Sequence, residues 1–546
     1  MDATQRASAL ADRFWDETLE LEPLLGTIVG DERFDDRLPD PTEAGRERSR
    51  AVQRRALEEL AEIDRAELDL VLRTTLDVVE AIAKRALSDL ENRLDRLTVA
   101  SHLWGPANLV AELASVQAAD TPERLDRYVA RLHAIPGFLD GVIETVEEGP
   151  RVGVTSPRVV AERAVAQTER LLDIDPGDTP ALAPIGDDPD ARDRVVEAIR
   201  DVVNPSYQKY LEALRSYLPH ATETIGISAL PNGDAMYAAQ LLAWTTLPLG
   251  AQEVHDLGRA RLAEIAESRR EIAAGLGYAT PAEAVAAHAA TGSNVAGSRE
   301  KLLELTRQQV ERSYEVAKDF FNLMPSANCD VKLVEEFREA DMPFAFYQPP
   351  TADGSRAGVY YVNAFDLPSR ALHHLATTTY HEANPGHHFQ ITIEQEMRDR
   401  PALRRFGGIL GGSAFAEGWG LYSERLADEM GLFVDEYERL GMLDAQAMRA
   451  ARLVTDTGIH ALGWTREQAI ATMEDSGQPH TDSVIEVDRY IAVPGQACSY
   501  MIGMIEIERA RERSQASGQS LKDFHDTVLT LGSLPLPSLR RELGED

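Results

Sequence analysis

One short stretch of the chain is dense in residue types that bind a transition metal or work beside one: His381, Glu382, His387 and His388. Many zinc peptidases place two histidines at i and i+4 of one helix, with a glutamate between them that activates a water molecule at the metal. In this chain, position i+4 from His381 is Pro385, which lacks a backbone N–H and clashes with the preceding helical turn. We therefore predict a helix that bulges or restarts across residues 384–386.

The identity of the second histidine ligand depends on the length of that bulge. A bulge that absorbs two residues returns His387 to the place of the second histidine, whereas His388 requires a bulge of three. We rank His387 first and keep His388 as the alternative, otherwise in a supporting position beside the metal. An interrupted helix whose histidines are merely polar surface residues is the competing interpretation.

A carboxylate that completes such a site stands on the next predicted helix. Zinc hydrolases with two histidines on one helix usually take a third ligand from a later helix and leave a fourth position for water. Glu417 follows His387 by thirty residues, which is enough for a helix, a turn and the return. Glu424 lies two turns further along the same face and is a candidate for orienting a ligand. Two solvated glutamates are the alternative, which is weaker for Glu417 because Gly418 and Gly420 allow close backbone approach.

Four segments of the sequence together resemble a known family: residues 381–390 (HEANPGHHFQ), 416–424 (AEGWGLYSE), 456–464 (DTGIHALGW) and 489–500 (RYIAVPGQACSY). This set is similar to the bacterial domain-of-unknown-function 885 (DUF885) family, and the similarity covers most of the chain, more loosely before about residue 220. The resemblance implies a mainly helical fold, distantly similar to the zinc metallopeptidases of the gluzincin group. The motifs are specific for the family, and the family is much less specific for a substrate.

A long helix is predicted over residues 434–460, with Arg449, Arg452, Asp456 and His460 on roughly one face. A charge stripe of this kind most often marks a solvated helix face. The resemblance places Asp456 and His460 in a shared motif, so for these two it implies a role at the site. His460 is then a candidate donor to the oxyanion of a tetrahedral intermediate, with Asp456 in support.

A turn at Pro494-Gly495 precedes the last predicted site residues, which are Arg489, Tyr490, Gln496 and Tyr500. Arg489 offers a bidentate fork to a substrate carboxylate, and a structural ion pair is the alternative. Tyr490 and Tyr500 are candidates to face the oxyanion, and Gln496 is placed in the same substrate pocket.

Short β-like runs at residues 331–334, 344–348 and 358–362 predict a small sheet before the metal-binding helix. In metallopeptidases an edge strand of such a sheet commonly pairs with the substrate backbone. Residues 359–363 are our candidate for that strand, with Asn363 at the substrate. A plain hairpin in which Asn363 ends the strand is the alternative.

The remaining chain is predicted to be helical. Residues 57–82 have apolar residues at helical spacing, and residues 122–133 and 138–147 repeat the pattern. The acidic, proline-containing run at 173–190 indicates a loop or boundary. We predict a mainly α, two-lobed, metallopeptidase-like fold in one continuous unit, with an N-terminal helical lobe at 1–220 and a catalytic lobe at 221–546.

Composition limits the class of protein and its partners. The 56 basic and 91 acidic residues give a formal net charge of −35, so neither nucleic acid nor an anionic membrane is expected to bind. Only two cysteines occur, which excludes a disulfide scaffold and fits a reducing cytosol. No signal-peptide pattern and no long apolar run are seen, so we expect a cytoplasmic location.

These patterns predict a zinc hydrolase that cleaves peptide bonds in short peptides. His381, His387 and Glu417 would hold one Zn²⁺, and Glu382 would take the proton of the attacking water and return it to the leaving nitrogen. Arg489 favours carboxypeptidase-like action. A metal-dependent amidohydrolase of a non-peptide amide and a catalytically inactive binding protein are the alternatives, and the intact Glu382 argues against the second. A homodimer is left open.

Overall fold

The structure is a computed structural model that describes residues 2–334, 339, 342–351, 354 and 356–545. These residues are mainly helical and contain one small mixed sheet, as the sequence predicts. They form two compact units. The first contains Met1–Ala239, Ile459–Arg466 and Asp488–Pro494, and the second contains Gln240–Gly458, Glu467–Val487 and Gly495–Asp546. Among the described residues, no helix has both the length and the apolarity needed to cross a membrane.

The first ten helices all lie in the first unit: α1 (Ala3–Leu21), α2 (Pro23–Val29), α3 (Glu43–Ala61), α4 (Leu70–Glu91), α5 (Asp95–Thr98), α6 (Leu109–Val116), α7 (Pro122–Val152), α8 (Arg158–Asp173), α9 (Pro189–Ala198) and α10 (Asn204–Tyr217). The long helices α7 and α10 pack against each other and carry much of the core. The buried Tyr207 and Tyr210 of α10 donate hydrogen bonds to the carbonyls of Pro106 and Val99, at 2.6 and 2.5 Å. Each ring is therefore buried without leaving its hydroxyl unsatisfied.

Helix α7 joins the two stretches of helical pattern at residues 122–133 and 138–147 into one helix. The helix is continuous and contains Pro136 in its interior. Proline cannot donate the helical hydrogen bond, and the sequence pattern alone therefore indicates a break. Leu132, Ile135 and Leu139 are fully buried on either side of Pro136, and their tertiary packing stabilises the continuous helix.

The remaining helices are α11 (Gly233–Thr245), α12 (Ala251–Gly275), α13 (Pro281–Ala290), α14 (Arg299–Ala317), α15 (Leu375–Glu382), α16 (His387–Glu396), α17 (Ala402–Phe406), α18 (Ala414–Glu429), α19 (Glu436–His460), α20 (Arg466–Asp475), α21 (His480–Ala492), α22 (Ser499–Ala516), α23 (Leu521–Leu531) and α24 (Leu536–Glu542). Most of them lie in the second unit, and α11, α19, α20 and α21 include residues of both units. Cys329 is half-buried and Cys498 is buried.

The sheet consists of β1 (Cys329–Leu333), β2 (Ala345–Gln348) and β3 (Gly358–Val362), in the order β1-β3-β2. Strand β3 pairs in parallel with β1 and antiparallel with β2. The existence of the sheet was predicted, but the proposal that residues 359–363 form its substrate-binding edge is wrong. Both sides of β3 are used by neighbouring strands, so its backbone cannot pair with a substrate.

Helices α18 and α22 cross at a very short distance, which fixes the core of the second unit. A Cβ atom at Gly418 would lie 2.3 Å from the backbone carbon of Gly503, and a Cβ atom at Gly503 would lie 1.8 Å from the carbonyl oxygen of Ala414. Only glycine at both positions permits this crossing. It places α18, which carries Glu417 and Glu424, directly against α22, which carries Tyr500.

Candidate metal centre

The helix that carries His381 stops and restarts as predicted. Helix α15 ends at Glu382, and α16 begins at His387. The connecting residues are held from α18, because the indole N–H of Trp419 donates to the carbonyl of Pro385 at 2.8 Å. Gly386 is required for the tight return, since a Cβ atom there would lie 1.9 Å from the carbonyl oxygen of His381.

Three predicted ligands converge at this break. The Nε2 atoms of His381 and His387 lie 3.7 and 3.4 Å from Oε2 of Glu417. One ligand atom from each residue falls within 4.8 Å of the others. Tetrahedral zinc with bonds of about 2.0 to 2.2 Å separates its ligand atoms by roughly 3.3 to 3.6 Å. The spacing of the three side chains therefore fits one such ion.

An outer carboxylate orients the first histidine. Nδ1 of His381 lies 2.8 Å from Oε1 of Glu424, whose other oxygen accepts a hydrogen bond from the Thr377 hydroxyl at 2.9 Å. A protonated Nδ1 that donates to Glu424 leaves the lone pair of Nε2 directed at the candidate ion. Glu424, predicted as a ligand-orienting residue, occupies that position.

The electrostatics of the centre favour a cation. Burial alone favours a neutral His381, but the contacts with Glu417 and Glu424 outweigh burial and raise the pKa of His381 to about 9. Burial also acts to raise the pKa of Glu417, yet the contacts with His381 and His387 hold that pKa well below its ordinary value. In addition, Nδ1 of His387 is buried, with no hydrogen-bond partner among the residues that the structure describes.

Glu382 is the last residue of α15, and the charges of the candidate ligands affect the pKa of its carboxyl group. Burial raises the pKa of the Glu382 carboxyl, the charge of Glu417 acts in the same direction, and the charges of His387, His381 and Arg449 oppose it. A carboxyl group with a raised pKa accepts and returns a proton nearer neutral pH than an ordinary glutamate. A raised pKa of this kind is a property that a general base uses.

Tyr500 and two arginines complete the surroundings. The ring of Tyr500 lies 6.5 Å from the ring of His381, and the guanidinium of Arg452 lies 4.5 Å from the centre of the Tyr500 ring. Nη2 of Arg449 lies 3.7 Å from Oε1 of Glu424. The sequence interpretation assigned these arginines to a solvated face, but both are largely buried at the site, with side chains 16% and 5% exposed.

The other predicted site residues of this unit have visible structural partners. Nδ1 of His388 lies 2.9 Å from the Tyr347 hydroxyl, and its Nε2 lies 3.2 Å from the carbonyl oxygen of Ala327. Both ring nitrogens are thus occupied away from Glu417, and His387 is the histidine that the structure brings to the centre.

Asp456 and Asn363 are both fully buried. The two carboxylate oxygens of Asp456 accept the N–H of Gly495 at 3.0 and 3.1 Å, which fixes the turn before Gln496 and Tyr500. The Asn363 amide donates to the carbonyls of Glu339 and Met342, at 2.7 and 2.9 Å. This geometry favours the alternative in which Asn363 ends strand β3.

His460, Arg489 and Tyr490 belong to the first unit. Nδ1 of His460 accepts the N–H of Ile227 at 3.1 Å, and Nε2 donates to the carbonyl of Tyr490 at 2.9 Å. Both ring nitrogens are engaged by backbone groups, so no N–H of this ring is left for an oxyanion. Tyr490 is buried and Arg489 is half-buried near the end of α21.

Sequence reasoning missed Thr377 and the participation of Arg449. Thr377 stands one turn before His381 on the same helix, so helical spacing from the histidine would have found it. Arg449 comes from a distant helix, and no local signal distinguishes it from a solvated arginine.

Three comparisons relate the chain to known proteins. A family model described as a bacterial protein of unknown function, DUF885, matches residues 23–543. No curated protein matches the chain. The crystal structure of a candidate lipoprotein from Colwellia psychrerythraea is 26% identical, with a TM-score of 0.93, and the match covers 100% of this chain and 99% of that chain. A candidate lipoprotein of unknown function from Shewanella oneidensis shares the fold, with 20% identity, a TM-score of 0.74 and coverage of 97% of this chain and 98% of that chain.

Proposed function

The chain belongs to the bacterial DUF885 family, and we propose that it is a zinc-dependent hydrolase that cleaves peptide bonds in short peptides. The convergence of His381, His387 and Glu417 beside Glu382 carries this proposal. Two imidazoles and one carboxylate are a ligand set of catalytic zinc sites, which keep a position for water or substrate. When bound, the ion supplies Lewis-acid chemistry and makes water a nucleophile at neutral pH.

Each side chain around the ion has a distinct task in this proposal. Glu382 takes a proton from the attacking water and delivers it to the leaving nitrogen. Glu424 holds the His381 ring in the orientation that presents Nε2. Tyr500, close to His381 and covered by the Arg452 guanidinium, donates a hydrogen bond from its hydroxyl to the oxygen on which negative charge develops.

The proposed substrate class rests on Arg489. The guanidinium of Arg489 is able to bind the terminal carboxylate of a peptide through two hydrogen bonds. Recognition of that carboxylate favours carboxypeptidase-like action. An amidohydrolase that acts on a non-peptide amide shares the same metal ligands and differs by refusing ordinary peptides. The raised pKa of Glu382 supports a working hydrolytic site over an inactive binding protein.

The test is a peptide-library digest by zinc-loaded wild type and by Glu382→Gln. Glutamine can neither accept nor return the proton, so turnover should fall by about 10²- to 10⁴-fold while bound zinc is unchanged. Glu396→Gln is a control, because Glu396 lies on α16 and binds the backbone of Ser326 instead. A variant Glu382→Gln with wild-type turnover contradicts the mechanism. Metal-dependent hydrolysis of amides without any peptide cleavage supports the amidohydrolase.

The two similar solved structures also bear on location. Their proteins are described as candidate lipoproteins, and lipoproteins belong to the cell envelope. This description favours an envelope location over the cytoplasmic location that the sequence patterns predict. Fractionation of cells that express the native gene, followed by immunoblotting, distinguishes the two.

A further inference from the structure

A second group of metal-binding residue types lies apart from the centre described above. His373 and His374 occupy a single helical turn (Leu372–His374) immediately before α15, and Asp444 lies on α19. One ligand atom from each residue falls within 4.8 Å of the others. Nε2 of His373 lies 4.0 Å from Oδ2 of Asp444, which is too long for a hydrogen bond and wide enough for an ion after a small inward shift.

The backbone is built to bring these elements together. A Cβ atom at Gly441 would lie 1.9 Å from the carbonyl oxygen of His373. Glycine therefore allows α19 to approach the histidine turn at backbone contact distance. Asp444 stands one helical turn after Gly441, so the same close approach carries its carboxylate to the histidines.

Each histidine has one ring nitrogen held by an outer partner. Oδ1 of Asn294 accepts the backbone N–H of His373 at 3.2 Å, and Oδ1 and Nδ2 of Asn294 lie 3.1 and 3.0 Å from Nδ1 of the same ring. A ring nitrogen of His374 hydrogen bonds with the backbone of Gly441. Metal-binding histidines commonly donate one N–H to an oxygen acceptor and present the other nitrogen to the ion.

The opposite nitrogen of His373 lacks a hydrogen-bond partner. Its Nε2 atom is buried and forms no hydrogen bond with any residue that the structure describes. A buried polar atom in this state destabilises the folded protein unless a ligand engages it. Burial, with the neighbouring His374 acting in the same direction, lowers the pKa of His373 to about 3, and burial lowers the pKa of His374 to about 4. A lowered pKa favours the neutral ring, which is the form of histidine that binds a metal ion.

Asp444 also contacts Arg269, and this contact leaves one carboxylate oxygen available. Nη2 of Arg269 lies 2.7 Å from Oδ1, whereas Oδ2 is the oxygen nearest His373. Carboxylates that bind metals are themselves often hydrogen bonded by an outer group. Arg269 is anchored in turn, since its Nη1 donates to the carbonyl of Ser476 at 3.0 Å.

We propose that His373, His374 and Asp444 form a second binding site for a divalent transition-metal ion, which ties the start of α15 to α19. Two imidazoles and one carboxylate favour zinc or a similar ion over Ca²⁺ and Mg²⁺, which prefer oxygen ligands. Because α15 carries His381 and Glu382 at its other end, an ion here stabilises the helix that presents the first centre. This second site does not depend on the proposed hydrolase function.

Zinc content per chain, measured by elemental analysis after loading and desalting, tests this site. Wild type should hold two ions, His387→Ala one, Asp444→Asn one, and the double variant none. His480→Gln, on an exposed side chain, should still hold two. The second site is overturned if Asp444→Asn still holds two ions. It is also overturned if wild type holds a single ion that only His387→Ala removes. Either result leaves the proposed function standing. One ion that Asp444→Asn removes and His387→Ala retains supports the second site and removes the first.

A thermal measurement separates a metal site from a merely structural network. In the His387→Ala background, a chelator should lower the melting temperature, and Asp444→Asn should abolish that chelator effect. If Asp444→Asn lowers the melting temperature while the His387→Ala protein does not respond to chelator, the three residues form a network without metal and the proposal is wrong.

Discussion

Nδ1 of His381 lies 2.8 Å from Oε1 of Glu424, and the two side chains are only 4% and 0% exposed. This contact links α15 to α18 beside the candidate metal centre. It determines which ring nitrogen of His381 faces Glu417 and therefore which lone pair is available to an ion.

Replacing Glu424 with glutamine should weaken metal binding at the first centre. The amide keeps the size and an acceptor oxygen but loses the charge that strengthens the Nδ1 hydrogen bond, so the zinc dissociation constant should rise by about 10- to 100-fold. Competition with a chromogenic chelator measures it. Glu429→Gln is the control on the same helix, because Glu429 is 47% exposed and pairs with Arg511. Equal zinc affinity in Glu424→Gln and wild type would show that the contact does not support the ligand.

Replacing Gly420 with alanine should displace the His381 ring. The added Cβ atom would lie 2.8 Å from both Cε1 and Nε2 of His381, closer than real side chains tolerate. We expect loss of zinc from the first centre and a destabilisation of roughly 1 to 3 kcal/mol, the usual cost of overpacking. Zinc titration and chemical unfolding measure the two effects.

Gly137→Ala is the matched control for this substitution, since Gly137 lies within α7 and an added Cβ atom meets nothing within 4 Å. Alanine there should be neutral or stabilising, because alanine is the better helix former. Normal zinc binding by Gly420→Ala would show that His381 is not fixed by this close approach.

The sequence predicted the parts of the site that depend on local rules. Pro385 removes a helical hydrogen bond and indicates a break, and counting residues across that break favoured His387 over His388, as the structure has them. The small residues around Glu417 indicated close approach, and Gly420 indeed contacts the His381 ring. Each of these conclusions follows from backbone geometry within a few residues.

Features that depend on long-range pairing were not predictable in the same way. Strand β3 lies between β1 and β2. A run of apolar residues predicts a strand but not its place in the sheet, so the prediction that this strand forms a substrate-binding edge was wrong. The burial of Arg449 beside Glu424 depends on how α19 packs, and helical periodicity alone shows only a charge stripe. The roles of Gly441 and Asp444 likewise become visible only in the structure, where α19 approaches His373 closely.

Acid should destabilise the protein through His460. Burial lowers the pKa of His460 to about 4, whereas an unfolded histidine titrates near pH 6.5. Between these values the unfolded chain binds one more proton than the folded chain, so the free energy of unfolding falls as the pH falls. From pH 7.5 to pH 5 this histidine should remove about 2 kcal/mol, and His460→Gln should lose that part of the pH dependence.

Urea unfolding at the two pH values measures the difference. His133→Gln is the control in the same unit, on an exposed side chain. If His460→Gln and wild type lost the same free energy of unfolding between pH 7.5 and pH 5, His460 would not be held neutral by its two backbone partners.

Arg489→Lys should change the preference for a free terminal carboxylate. Lysine keeps the charge but lacks the planar fork, so a bidentate contact should weaken by roughly 1 to 3 kcal/mol. A peptide and its C-terminally amidated analogue are compared on both proteins. Wild type should prefer the free acid, and the variant should lose that preference. Equal cleavage of both peptides by wild type would point to aminopeptidase or endopeptidase action instead.

The most direct measurement is an anomalous difference map from crystals of the zinc-loaded protein, collected above the zinc absorption edge. We predict a strong peak about 2.0 to 2.2 Å from Nε2 of His381, Nε2 of His387 and a carboxylate oxygen of Glu417. A map without a peak among these three residues, or with a peak bound by His388 in place of His387, would contradict the metal centre on which the proposed function rests.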